Sequence, residues 1–115
     1  MTKEYKEITS EISSYMGELR KLIPDAMLSF SALGRAALQT NALDEKSKEL
    51  IAITLGVASH CDGCLGFHAK ALARLGATRE EVAEALGMAI YMGGGPSVMY
   101  AADALRAFDQ FKSGE

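Results

Sequence analysis

The sequence predicts an all-α protein, a compact bundle of about six helices. Apolar residues recur at intervals of three and four along most of the 115-residue chain, and no stretch alternates apolar and polar as a half-buried strand would. Proline, glycine and capping residues fall between the periodic stretches, where one helix must end and the next begin. Composition is the third observation: 49% of residues are hydrophobic but only 7% aromatic, so the core has to be built from Ala, Leu, Ile and Met. The length fits a single domain spanning residues 1–115.

In a first helix, Tyr5, Ile8, Ile12, Tyr15, Met16, Leu19 and Leu22 make one apolar stripe. Pro24 suits the first turn of a second helix, where no donor is lost, and Met27, Phe30, Leu33, Ala37 and Leu38 are expected to point inward from it. Residues 41–44 read as a loop ending in an N-cap, with Glu45 in the first turn of a third helix. That helix passes from a charged start into Leu50-Ile-Ala-Ile-Thr-Leu-Gly-Val-Ala58, which is apolar on most faces and belongs at the centre of the fold. A fourth helix starts around Cys61 and runs to Leu75, closed by Gly76. Thr78-Arg-Glu-Glu81 is a capping box that opens a fifth helix, continuing through Val82, Ala85, Leu86 and Ala89 to about Met92. Gly93-Gly-Gly-Pro96 reads as a helix break, not a phosphate loop, since no Lys follows and no strand precedes. A sixth helix carries Val98, Ala101, Leu105, Phe108 and Phe111 on one face, and residues 112–115 read as a frayed tail. The six methionines read as core fillers, and Tyr91 as a packing residue.

Charge and length exclude several classes of partner. The net charge is -3 and no basic run exists to neutralise phosphates, so no nucleic acid is expected. Residues 50–58, the longest apolar stretch, fall far short of the ~18 that a membrane span needs. The charged start, Met1-Thr-Lys-Glu-Tyr-Lys-Glu, lacks the apolar centre of a secretory signal. A cytoplasmic protein is expected. In that reducing compartment, two cysteines three residues apart are redox-catalytic or metal-binding more readily than a static staple.

Both cysteines, both histidines and one well-placed acid fall in the stretch from Glu49 to His68. On a helix, Cys61, Cys64 and His68 project from one side, and a helix N-terminus favours thiolate there. Cβ atoms at that spacing lie ~5–6 Å apart, whereas a disulfide wants ~3.5–4.5 Å. Closing the bond should therefore distort the first turn, which Gly63 can absorb. His68 can take the proton of Cys64, and an antiparallel return of the chain could bring Glu49 into the same pocket to orient the imidazole. Blander readings stand beside this one. The cysteines could be small buried residues, and Glu49 an ordinary solvated carboxylate. A zinc site from His60, Cys61, Cys64 and His68 is disfavoured, because adjacent His60 and Cys61 make poor tetrahedral partners. His60 alone reads as a helix-end residue. No cofactor and no metal are expected.

The pattern Glu49-x11-Cys61-x2-Cys64-x3-His68 resembles the active-site signature of AhpD-like proteins in the carboxymuconolactone decarboxylase family. Leu50-Ile-Ala-Ile and Gly93-Gly-Gly-Pro96 are similar to it as well, and the likeness covers roughly residues 20–110. It implies an AhpD-like helical fold and a redox-active disulfide between Cys61 and Cys64. It further implies a Glu49–water–His68 proton relay serving a hydroperoxide or disulfide reductase fed by a dithiol reductant. Cys64 is assigned attack and Cys61 resolution. Single-copy relatives commonly assemble as hexamers, trimers of dimers, which the small-residue surfaces would suit. The alternatives are a lactone decarboxylase, disfavoured by the cysteine pair, and a non-enzymatic assembly module switched by that pair.

Overall fold

Asp44 and Thr78 are short polar side chains set just ahead of apolar runs, and each caps a helix as such residues do. Asp44 accepts a hydrogen bond from the Ser47 amide at 2.7 Å. Thr78 and Glu81 form the reciprocal box, the Glu81 amide donating to Thr78 Oγ1 at 3.0 Å and the Thr78 amide to Glu81 Oε1 at 2.8 Å. The computed structural model describes residues 2–113, and among them runs α1 (Tyr5–Leu22), α2 (Pro24–Leu38), α3 (Glu45–Ala58), α4 (Asp62–Arg74), α5 (Arg79–Gly93) and α6 (Gly95–Lys112). Pro24 opens α2 as expected. Gly76 and Gly94, at φ 76° and 74°, take the left-handed backbone that lets the chain turn sharply after α4 and α5.

The central element is α4, which packs against α6, α3 and α1; α3 and α6 also meet α5. The core between them is Tyr5, Ile53, Val57, Leu65, Ala69, Leu72, Val82, Leu86, Ala104 and Phe108. Small residues set the spacing. At Gly66 of α4, a Cβ would lie 2.5 Å from Thr9 Cγ2 and 3.4 Å from the Tyr5 ring, so α1 can dock only on a bare backbone.

Several expected inward faces are open. No residue of α2 is buried: Met27 and Leu38 are half-buried, but Ala37 is exposed, and Phe30 and Leu33 are 70% and 63% exposed. Tyr15, Leu19 and Leu22 in the second half of α1 are exposed too, as are Ile51 and Leu55 of α3 and Val98 of α6. Met88, Met92 and Met99 are surface residues and not core fillers, and Tyr91 is 79% exposed instead of packed. The physical reason is common to all: periodicity shows that a helix has an apolar face, not what covers it. Because α2 touches only α1 and α3, the radius of gyration, 14.3 Å, exceeds the ~13 Å of a tight domain this long. Lys112 still belongs to α6 and is not frayed, while residues 114–115 lie outside the described residues. Among the described residues, no helix is long and apolar enough to cross a membrane.

Candidate active site

The return from α3 to α4 takes three residues. The His60 amide donates to the Val57 carbonyl and the Cys61 amide to the Gly56 carbonyl, both at 3.1 Å, and His60 adopts φ 54° to make the turn. A left-handed histidine is uncommon and holds the reversal tight. The two helices consequently run back along one another, and the first half of α4 faces the second half of α3, where Gly56 lies against Cys64 and Leu65.

That reversal brings all four residues singled out in the sequence to one place. Cys61 and Cys64 are joined by a disulfide with their Cα atoms 5.2 Å apart. Cys61 is not in the first turn of α4. It is the N-cap, extended at φ -113° and ψ 97°, and its Sγ accepts from the Cys64 amide at 3.1 Å. The bond therefore joins a residue outside the helix to one inside it, and the first turn has nothing to absorb. Gly63 serves packing instead, since a Cβ there would lie 2.9 Å from Ile12 Cδ1.

Glu49 is 4% exposed, so it is no solvated carboxylate. A buried carboxylate is tolerable only with a partner, and His68 Nδ1 provides one by donating to Glu49 Oε1 at 2.6 Å. At that distance the two groups touch, and no water separates them. An ionised carboxylate only accepts, so in the neutral ring the proton sits on Nδ1 and Nε2 keeps its lone pair. His68 itself is half-buried, four residues beyond Cys64 on α4.

A second constellation flanks Cys61, and sequence reasoning missed it. Lys3 lies in the strap before α1, and its ammonium bridges Asp62 Oδ1 at 3.1 Å and Asp103 Oδ2 at 3.0 Å. The Tyr5 hydroxyl donates to the same Asp62 oxygen at 3.3 Å. These contacts hold the Lys3 ammonium well above the usual lysine range, the bond to Asp103 first and that to Asp62 next. Burial, aided by the charges of Asp103 and Asp62, pushes the Tyr5 phenol up in the same way. Gln110 of α6 clamps the strap, accepting from the Tyr5 amide and donating to the Lys3 carbonyl, each at 2.8 Å. On the other side of Cys61, the His60 ring stacks on Tyr100 with centroids 4.5 Å apart and planes 3° from parallel. Lys3 Nζ lies 5.7 Å from the same Tyr100 ring. His60 is thus the helix-end residue expected, the left-handed position just past the C-cap of α3, and its ring is stacked on Tyr100.

A surface groove of about 600 Å³ between α1 and α4 is lined by Lys6, Ser10, Ser13, Lys70 and Arg74 among others and includes none of the four site residues. Among the described residues, no group of three or more His, Cys, Asp or Glu is placed to hold a metal ion.

Comparison with known proteins gives the same frame. The model of the carboxymuconolactone decarboxylase family matches residues 24–107. The apo crystal structure of a member from Legionella pneumophila superposes with a TM-score of 0.92 at 54% identity, covering 94% of this chain and 96% of that one. A Thermotoga maritima structure superposes at 0.70 with 27% identity, over 84% of this chain and 92% of that one. An uncharacterized protein of Cupriavidus necator is 44% identical over 109 residues, 95% of this chain and 96% of its own. A family match over most of the helices, on a six-helix bundle with its cysteine pair in disulfide, leaves one assignment: the chain belongs to the carboxymuconolactone decarboxylase family.

Proposed function

We propose that this protein is a thiol-dependent oxidoreductase that reduces a hydroperoxide or a disulfide and draws its electrons from a dithiol reductant. The observation that carries the reading is the joined Cys61–Cys64 pair, one helical turn from a histidine whose Nδ1 is held by a buried carboxylate. In the oxidative half, His68 Nε2 takes the proton of Cys64. The thiolate attacks one peroxide oxygen, the O–O bond breaks, and the alkoxide leaves with the proton from His68. Cys64 is now a sulfenic acid; Cys61 attacks its sulfur, the disulfide forms, and water leaves. The sum is dithiol plus hydroperoxide giving disulfide, alcohol and water. In the reductive half, a reductant thiolate attacks Cys61, Cys64 departs as thiolate, and the second reductant thiol releases Cys61. Glu49 faces the imidazolium while it exists, so the charge never stands alone in a half-buried site.

We further propose that the chain works as a homo-oligomer, a hexamer built as a trimer of dimers. The exposed large apolar side chains of α1, α2 and α5 support this, since faces left open by the core of one subunit are what contacts between subunits bury.

The test is to incubate reduced protein with a panel of hydroperoxides and small disulfides and follow thiol loss and dithiol-coupled turnover. Turnover abolished by alkylation of the cysteines is the expected result. Turnover of a lactone that survives alkylation would replace this reading by decarboxylation, and no turnover of any substrate would leave a redox-switched assembly module.

A further inference from the structure

Cys61 stands outside α4 as its N-cap while Cys64 lies within the helix, and both chain neighbours of Cys61 are held by residues far away in sequence. His60 rests on Tyr100 of α6, and Asp62 is bound by Lys3 and Tyr5. Asp62 is the unfavourable member of this set. It places a carboxylate one residue from a sulfur that has to carry negative charge, and like charges so close oppose ionisation. The half-exposed Lys3 ammonium sits directly on that carboxylate.

We propose that Lys3 is a positioning residue for Cys61, cancelling the Asp62 carboxylate so that the Cys61 thiolate can form. This rests on the redox reading above, but only on its requirement that Cys61 ionise. The groups facing the position from each packed element are Lys3 of the strap, Tyr5 of α1, His60 of the turn, Asp62 of α4, and Tyr100 and Asp103 of α6, with Arg106 Nε 4.0 Å from Asp103. Of these, Asp62 is the anion adjacent in sequence to Cys61, and Lys3 is the cation that touches it. Tyr5 stays neutral because its phenol is pushed up, so its bond to Asp62 adds no charge. The strap itself does not depend on the Lys3 side chain, since Gln110 holds the backbone at both Lys3 and Tyr5.

The experiment uses the reduced full chain carrying Cys64→Ser, so that Cys61 is the single thiol, and measures iodoacetamide alkylation against pH. Lys3→Met should raise the midpoint of Cys61 ionisation by about half a pH unit, roughly threefold less thiolate at fixed pH, a modest effect because the pair is partly exposed. Asp62→Asn alone should lower the midpoint, and Lys3→Met with Asp62→Asn should return it near the parent. High salt should shrink the Lys3→Met shift. A merely structural strap would give a double variant no better than Lys3→Met, with no salt dependence. That pattern, or an unchanged midpoint in Lys3→Met, overturns the proposal. The titration needs no turnover, so its failure leaves the oxidoreductase reading standing, and a protein without turnover can still show the shift.

Discussion

His68 Nδ1 lies 2.6 Å from Glu49 Oε1, a histidine of α4 bonded directly to a carboxylate of α3 that water barely reaches. In the proposed cycle the two act as a unit: Glu49 holds the tautomer and His68 does the exchange. Replacing His68 by Gln or Glu49 by Gln should each slow the reaction of Cys64 with oxidant by ~10²–10⁴. The double variant should be little worse than either, because groups acting together are non-additive. Stopped-flow thiol loss against pH for the four proteins measures this, and unchanged rates would reduce both residues to bystanders.

The docking of α1 on α4 gives a packing prediction. Gly66→Ala puts a methyl 2.5 Å from Thr9 Cγ2 and against the Tyr5 ring. Overpacking of this kind costs about 1–3 kcal/mol, against a gain of about 1 kcal/mol from the better helix former. The urea midpoint should fall and the disulfide should remain. A midpoint equal to or above that of the parent would show that α1 can yield without loss.

Tyr5 makes stability depend on alkaline pH. Its folded phenol is raised above the ordinary value of 10.0, chiefly by burial. A raised group contributes stability that is whole below its unfolded value and is lost as pH climbs beyond it. From pH 10 upward, unfolding should therefore become easier by up to about 1.4 kcal/mol per pH unit for one proton. Lys3, raised as well, acts in the same direction. Denaturant titrations between pH 8 and 11 should show the fall, and Tyr5→Phe should flatten it. Parallel curves for the two proteins would remove Tyr5 from the account.

The exposed faces give an assembly prediction. Phe30→Glu together with Leu33→Glu puts charges on a helix that has no buried residue, so the bundle itself should keep its circular dichroism. Light scattering should give about six times the 12.3 kDa chain for the parent and a smaller species for the variant. A parent that scatters as a single chain at micromolar concentration contradicts the hexamer.

The helices were legible because their signals are local. Asp44, Thr78, Pro24 and Gly76 each act within one turn, and all four sit where the sequence places them. Glu49, Cys61, Cys64 and His68 were legible as a pattern, since a short reversal between two helices converts fixed spacing into proximity. The burial of Glu49 was not, because its flanks, Glu45, Lys46 and Lys48, are charged and its partner His68 lies on another helix. Lys3, Asp62 and Asp103 were invisible for a different reason: their meeting spans separations of 59 and 100 residues, and no periodicity encodes such a pairing. Exposure on α2 likewise depends on what lies opposite, which a single helix does not record.

Gln110 ties the strap to the last helix across a separation of 107 residues. On a ribosome that emits the amino end first, Lys3 appears long before the glutamine that fastens it. Cys61 and Cys64 also emerge before α6, so a nascent chain carries both thiols while Tyr100, Asp103 and Gln110 are still missing. The surroundings of Cys61 are finished by the last helix to be made, and a chain cut short before Gln110 keeps Lys3 and Tyr5 but loses the clamp that fastens their backbone.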